Sequence, residues 1–322
     1  MQCNSSNASS NNLLKNYCVF LRAQDSQTLV EGVPALLIGV INAVFSLLAM
    51  AGNALILAAL HRNPSLRTPS YIFLAGLAAT DLSTGLITQP IYAAYNIARF
   101  SHHKLPCSAI TTYHTFDRYL SALTMGAMTL MAIERWLHVA NLYKSPLTVK
   151  HAYAIFGGLS LIPAISTVGR IWLISNRHFR NVWMPVLRGF ISVASSIILA
   201  FSYYKVVKAI KRHQQQIRCS QSRQTVVRST INITKYKKSV QTILIIVIFF
   251  LLGFLPSMIF MSLSVLSRPS GNDSFSVLTH ISFTLFYLSS SLNPLLYCNR
   301  MIEIRNEVKS LIRNMFCRGQ PV

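Results

Sequence analysis

Seven long apolar runs, separated by short polar and basic stretches, constrain the fold of this chain more than any other feature of its sequence. A helix needs about 20 mostly apolar residues to cross the hydrocarbon core of a bilayer, and each run reaches or approaches that length. The chain is 52% hydrophobic and only 12% charged, with a mean hydropathy of +0.42, which excludes an ordinary soluble protein. We therefore predict an all-α fold, a seven-transmembrane helix bundle. The runs are Pro34–Leu60, Tyr71–Ile97, Tyr119–Ala140, Ala152–Gly169, Gly189–Ala209, Val240–Leu266 and Phe275–Tyr297.

The basic residues predict how the bundle is oriented. The formal net charge is +22, but the basic residues lie in gaps between apolar runs, which weakens nucleic acid as a partner and favours anionic membrane lipid. Twenty lysines and arginines fall on the side of the odd-numbered loops and the C-terminal tail, against nine on the other side. The positive-inside rule therefore places the N-terminus outside the cell.

These assignments divide the chain into three parts. Residues 1–33 form an extracellular tail, residues 34–299 the seven-transmembrane domain with a cytoplasmic loop at about 211–238, and residues 300–322 an amphipathic helix and cytoplasmic tail. Met1–Val30 has no apolar core of signal-peptide length, so we expect the first run to insert as a signal anchor. The sequons at Asn4 and Asn7 then lie outside, as predicted glycosylation sites.

Ionisable residues at membrane depth are costly and usually functional. Asp117 and Arg135 flank the third run and lie 18 residues apart, which in a helix is five turns, or about 27 Å, on one face. Arg135 is either part of a switch or a snorkelling side chain that marks the helix end. Asp81 is an isolated acid in the second run, where it is either a buried polar staple between helices or a cation site.

Five short motifs follow one another in order, each on its own predicted span. They are Gly52-Asn53, Leu77-Ala78-Ala79-Thr80-Asp81, Glu134-Arg135-Trp136, Pro256 and Asn293-Pro294-Leu295-Leu296-Tyr297. With them the chain resembles a rhodopsin-like (class A) G-protein-coupled receptor over nearly its whole length. The resemblance implies a plasma-membrane receptor that converts the binding of a small extracellular ligand into activation of a heterotrimeric G protein.

The resemblance also implies roles for particular residues. A sodium and water site is expected in the middle of the bundle, with Asp81 as the metal ligand and an allosteric sodium ion in place of any organic cofactor. A cytoplasmic switch is expected around Arg135. The site would use Asp81, Asn53, Thr124, Ser290 and Asn293, and the switch would use Glu134, Arg135, Trp136 and Tyr297.

The ligand pocket is expected near Asp117, which takes the place of the amine-binding acid of aminergic receptors. The implied pocket residues are Asp117, His114, Phe254, Phe283 and Tyr287. Arg118 beside Asp117, and Ser257 and Met258 in place of an aromatic pair after Pro256, weaken the case for an amine. An amine, a peptide, a lipid and a nucleoside all stay open. Tyr287 stands where an opsin would carry its retinal lysine, which argues against a light sensor.

Several family features are missing. The loop from Arg170 to Arg188 has no cysteine, so a Cys18–Cys107 bridge is expected to replace the usual loop disulfide. That loss, and the absence of a mid-helix proline in span five, suggest the melanocortin, lysophospholipid, cannabinoid and adenosine group. Tyr236 replaces the acid that usually pairs with the switch arginine, which predicts raised basal signalling.

The C-terminal segment Arg300–Phe316 carries an amphipathic stripe that suits the membrane interface. Cys317 at its end is either palmitoylated or a free thiol. The basic loop Lys211–Lys238 is expected to contact inner-leaflet lipid, the G protein, or both.

A membrane transporter or channel is the alternative class. It predicts internal repeats or paired charges at mid-membrane, and the sequence has no repeat and one clearly deep acid, Asp81. The sequence shows no nucleophile–base pair and no metal-ligand spacing, so no catalytic residues are predicted and the chain is not expected to be an enzyme.

Overall fold

The computed structural model describes residues 30–139, 147–172, 184–219, 244–245, 247–248, 250–260 and 273–317. Within these residues the chain is all-helical, which confirms the predicted fold class. The eight helices are α1 (Gly32–Arg62), α2 (Pro69–Phe100), α3 (Cys107–Val139), α4 (Val149–Trp172), α5 (Met184–Cys219), α6 (Phe250–Phe260), α7 (Asp273–Arg300) and α8 (Ile302–Cys317). The division into an outer tail, a bundle and a cytoplasmic tail stays a prediction, because residues 1–29 and 318–322 lie outside the described residues.

The bundle is apolar outside and polar inside. By length and composition, Gly32–Arg62, Pro69–Phe100, Val149–Gly169 and Gly189–Ala209 can each cross a membrane. The outer surface carries large apolar side chains such as Ile162, Ile165 and Phe190, which are 65%, 70% and 72% exposed. By contrast, α7 carries buried polar side chains, among them Ser289, Ser290, Ser291 and Asn293. An apolar exterior around a polar interior is the arrangement of a protein solvated by lipid.

Two glycines let α7 approach its neighbours closely. A Cβ on Gly52 of α1 would lie 2.8 Å from Pro294 Cγ on α7. A Cβ on Gly253 of α6 would overlap the backbone of Phe286. Small residues permit close backbone approach between membrane helices, so these contacts fix how α1 and α6 sit against α7. The Gly52-Asn53 motif thus has a packing role at its first residue.

A π-helical turn, Thr84–Thr88, interrupts α2 at mid-length. Ser46 Oγ of α1 donates to the carbonyl of Gly85 at 3.0 Å, which holds this turn against α1. Such turns change the direction of the side chains that follow them. Beyond the turn, Gln89, Tyr92, Ala93 and Asn96 form the buried face of α2.

The amphipathic helix α8 is present as predicted and packs by its apolar stripe. Ile304 and Val308 are buried, and Leu311 and Ile312 pack beside them. Asn63, after α1, donates from Nδ2 to Glu307 Oε1 at 2.8 Å and accepts from the backbone N–H of Ser65 at 2.9 Å. The turn that follows α1 and the helix α8 are therefore joined by one side chain.

Candidate functional site

The outer site is built around Asp117 on α3 and Tyr287 on α7. The Tyr287 hydroxyl donates to Asp117 Oδ1 at 2.7 Å and lies 3.1 Å from the Tyr113 hydroxyl. Tyr287 is completely buried, whereas Asp117 is partly exposed. The structure thus brings together two of the predicted ligand residues and orients the carboxylate with a phenol.

Aromatic rings pack around this pair with Tyr92 of α2 at their centre. Tyr92 stacks on Tyr113 and on His280, with ring centroids 5.7 and 5.8 Å apart, and lies 5.3 Å from the ring of Tyr287. Its hydroxyl is 2.7 Å from His280 Nδ1. Phe283 meets Tyr92 edge-on at 6.2 Å. The outer site is therefore a carboxylate set in aromatic rings from α2, α3 and α7.

His114 also belongs to this group, since it is buried and meets Tyr113 at 4.9 Å. Sequence reasoning missed Tyr92, Tyr113 and His280. Two of them carried a signal, because Tyr113 lies four residues before Asp117 and His280 seven before Tyr287, which puts each on the face of a predicted site residue.

Phe254 lies in a neighbouring aromatic group. It stacks on Phe250 at 5.0 Å and tilts against Phe286 at 6.0 Å, and Phe286 in turn lies 5.3 Å from Tyr287. Phe254 is 3% exposed. Phe254 of α6 is therefore connected to Tyr287 of the outer site through the ring of Phe286.

Four of the five residues predicted for the sodium and water site are joined in pairs at the centre of the bundle. Asn293 Nδ2 donates to Asp81 Oδ2 at 2.7 Å, which joins α7 to α2. Asn53 Nδ2 donates to the Ala49 and Ser290 carbonyls at 2.9 and 3.1 Å, which joins α1 to α7. Among the described residues, the second oxygen of Asp81 and the side-chain oxygen of Asn53 have no hydrogen-bond partner, although both are buried. Two such oxygens can accept water protons or ligate a cation.

Thr124 joins this region less directly. Its hydroxyl donates to Thr80 Oγ1 at 3.3 Å, and Thr80 precedes Asp81 on α2. Both threonines are buried. Thr80 is a further residue that the sequence analysis did not assign to this site, and its position next to Asp81 was the available signal.

The C-terminal end of α3 carries the residues predicted for the switch. Glu134 is buried and accepts a hydrogen bond from Ser70 Oγ of α2 at 2.8 Å. Its other oxygen lies 3.8 Å from Arg135 Nε. Trp136 packs edge-on against Phe201 of α5 at 5.9 Å. Tyr297 is fully buried on α7. Ser70 had no sequence signal, because its role depends on how α2 packs against α3.

The remaining predicted sites stay predictions. Cys107, at the start of α3, is disulfide-bonded. Cys18, Asn4 and Asn7 lie outside the described residues, so neither the Cys18–Cys107 pairing nor the glycosylation is placed. Cys317 is the last residue of α8.

The helical bundle, with its polar centre and the charged end of α3, defines a membrane receptor of the seven-helix class. Residues 52–297 match the family described as 7 transmembrane receptor (rhodopsin family), and the chain belongs to this family. It is therefore a G-protein-coupled receptor and not an enzyme. Membership also decides against the transporter or channel alternative.

Known relatives are similar over most of their length. The chain is 24% identical to human olfactory receptor OR51C1, covering 89% of this chain and 95% of that protein. It is 25% identical to human G-protein coupled receptor 6, covering 90% and 81%. It is 22% identical to the human histamine H2 receptor, covering 87% and 79%. The closer grouping with melanocortin, lysophospholipid, cannabinoid and adenosine receptors stays a prediction.

Proposed function

We propose that this receptor responds to a small extracellular ligand carrying a positively charged amine, and that Asp117 is its counter-charge. The observation that carries the proposal is the hydrogen bond of 2.7 Å from Tyr287 to Asp117. This bond uses one carboxylate oxygen and holds the group in a fixed orientation. Aromatic rings around Asp117 remove part of its hydration, and an ammonium ligand supplies the opposite charge that compensates for this loss.

The surrounding rings support the same ligand chemistry. The ring of Tyr92 lies 5.7 Å from that of Tyr113 and 5.3 Å from that of Tyr287. Electron-rich aromatic faces attract cations, and Tyr287 and Tyr113 replace the missing aromatic pair of α6 in this role. The similarity to the histamine H2 receptor, whose name states an amine ligand, agrees with this assignment.

The signal would pass from the outer site to α6 and α7. Tyr287 belongs to α7, whose Asn293 binds Asp81, and Phe286 contacts both Phe254 and Phe250 of α6. A ligand that binds more tightly to one arrangement of these helices shifts the population toward it. Arg135 would then exchange its contact with Glu134 for a contact with a heterotrimeric G protein.

A sodium ion is proposed as an allosteric ligand at Asp81. The two unpartnered buried oxygens, on Asp81 and Asn53, fit a cation with its bound waters. Bound there, the ion would stabilise whichever arrangement of α1 and α2 keeps those oxygens together. We also propose that the N-terminus is extracellular, from the distribution of basic residues, and that Cys317 is palmitoylated, from its place at the end of the amphipathic α8.

The test is a screen of amines for G-protein activation in cells that express the wild type. Each active amine is then applied to Asp117→Asn and to Asp117→Glu, with surface expression matched. We expect the potency to fall by about a hundredfold or more in Asp117→Asn, because the ligand ammonium is left buried and unpaired, and to recover in part in Asp117→Glu.

Two outcomes would contradict the proposal. An amine that activates Asp117→Asn and the wild type with equal potency does not use Asp117. An uncharged analogue that is as potent as its amine shows that charge is not recognised, and would redirect the search to lipid or nucleoside ligands.

A further inference from the structure

Buried polar atoms lie at the interface of α1, α2 and α7, and they belong neither to the outer site nor to the Asp81 site. Asn42 and Gln89 are each 0% exposed. Among the described residues, three of their side-chain atoms have no hydrogen-bond partner: Asn42 Oδ1, Gln89 Oε1 and Gln89 Nε2. A buried polar group without a partner loses its hydration and gains nothing in return, so three such atoms at one interface need an explanation.

The orientation of the Asn42 amide is fixed by its bonded end. Nδ2 donates to the Ile38 carbonyl at 2.8 Å and to Thr284 Oγ1 at 3.0 Å. Thr284 in turn donates to the His280 carbonyl at 2.9 Å, so the Thr284 hydroxyl proton is already used. Asn42 Oδ1 must therefore be the free end, and it needs a donor.

The helix register brings Gln89 to the same level. Gly39 of α1 lies against Ala93 and Ile97 of α2, and Gly85 of α2 lies against Ser46 and Ala49 of α1. Because α1 and α2 run antiparallel, these two contacts place Gln89 within one helical turn of Asn42 along the helix axes. Gln89 also lies three residues before Tyr92, which contacts α7, and four before Ala93, which contacts α1, so it lies on the seam between them.

The three unpartnered atoms are two oxygens and one amide nitrogen, and this combination decides which ligand can satisfy them all. A metal cation would satisfy the two oxygens but would be repelled by the Gln89 amide N–H. A direct bond between the two amides would leave one Gln89 atom unpaired. One water molecule donates two hydrogen bonds and accepts up to two, so it satisfies all three atoms at once.

We propose that Asn42 and Gln89 hold a bound water between α1 and α2, beside Thr284 of α7. This site is separate from Asp81 and does not depend on the proposed ligand. It joins the outer half of α2, above the π-turn, to α1, and through Asn42 to α7.

The first test uses the purified full-length receptor and its apparent melting temperature. Gln89→Met keeps the side-chain size but removes two of the partners of the water and leaves Asn42 Oδ1 unpaired. If the water is bound, the melting temperature falls by a few degrees. Adding Asn42→Leu to Gln89→Met removes the last unpaired atom and restores part of that loss. If the interface is dry, Gln89→Met removes unpaired groups and raises the melting temperature, which would overturn the proposal.

Thr88→Val is the matched control. Thr88 is 1% exposed, but its hydroxyl donates within its own helix to the Thr84 carbonyl at 3.0 Å, so it should not affect the water. The second test is an experimental map that resolves ordered water. Density bonded to Asn42 Oδ1 and the Gln89 amide supports the site. A direct Asn42–Gln89 bond with no density between them would refute it. A melting temperature that rises with sodium in the wild type but not in Gln89→Met would also refute it, because the bound ligand would then be a cation.

Discussion

Asn293 of α7 donates a hydrogen bond to Asp81 of α2 at 2.7 Å, while the other Asp81 oxygen stays buried and without a partner among the described residues. One oxygen therefore fixes the packing of α7, and the other is available for a ligand. The two readings of Asp81, a polar staple and a cation site, thus describe two oxygens of the same carboxylate.

The first prediction concerns sodium. Replacing potassium in the buffer with sodium should raise the melting temperature of the wild type. A ligand at ten times its dissociation constant stabilises the state it binds by about 1.4 kcal/mol. Asp81→Asn keeps a hydrogen-bonding side chain but removes the charge, so the sodium effect should vanish. A sodium effect that persists in Asp81→Asn would place the ion elsewhere.

The second prediction concerns the orientation of Asp117. Tyr287→Phe removes the hydroxyl that binds Asp117 but leaves the charge, so amine potency should fall by about tenfold, much less than in Asp117→Asn. Dose–response curves for the two variants give the comparison. An equal loss in both would mean that Tyr287 binds the ligand itself.

The third prediction concerns the C-terminal end of α3. Ser70→Ala removes the hydrogen bond from Ser70 to Glu134. The Glu134 carboxylate is then no longer fixed in position beside Arg135, and the ion pair between them weakens. Basal G-protein activation should rise a few-fold at matched surface expression. Ser83→Ala is the control, because the Ser83 hydroxyl donates only within its own helix, to the Ala79 carbonyl at 2.8 Å. Equal basal activity in Ser70→Ala and the wild type would argue against this role.

The fourth prediction concerns the contact of α6 with α7. Gly253→Ala places a methyl group against the backbone of Phe286, which cannot move as a side chain can, so we expect a loss of about 1–3 kcal/mol of stability. A Cβ on Gly157 of α4 meets nothing within 4 Å, so Gly157→Ala should be neutral or stabilising. Thermal melting of the purified variants makes the comparison, and similar melting curves would show that α6 adjusts freely.

The fifth prediction follows from the sequence, since Tyr236 lies outside the described residues. Tyr236→Glu introduces the acid that the family pattern places opposite Arg135, and it should lower basal signalling. Tyr236→Gln controls for polarity without charge. If both variants behave alike, an ionic partner for Arg135 is not what limits basal activity.

The predictable parts of the site were those with local signals. Asp81 stood out as an isolated acid in an apolar run, and the family motifs added Asn53 and Asn293. The structure joins Asn293 to Asp81 and Asn53 to the carbonyl of Ser290. The spans were predictable from their length, although α3 begins at Cys107, three turns before the apolar run starts at Tyr119. The extra turns carry polar side chains of the outer site, among them His114 and Asp117, which an apolar-run criterion cannot recognise.

The parts that sequence reasoning missed depend on packing between helices. Tyr92 was not assigned to the pocket, since its contacts with Tyr113, His280 and Tyr287 depend on where α2 points after the π-turn. The pairing of Ser70 with Glu134 and the unpartnered amide of Gln89 likewise arise only when α1, α2, α3 and α7 are placed together.

The π-turn at Thr84–Thr88 makes chain length, as well as residue identity, a determinant of the pocket. A π-turn holds one residue more than an ordinary α-helical turn, so it sets which residues beyond it face the rings around Asp117. A related receptor with a regular α2 would bring a residue one position away to the place that Tyr92 fills here, whereas Asp81, before the turn, would keep its place. Alignments that treat α2 as gap-free would therefore compare the wrong pocket residues between related receptors.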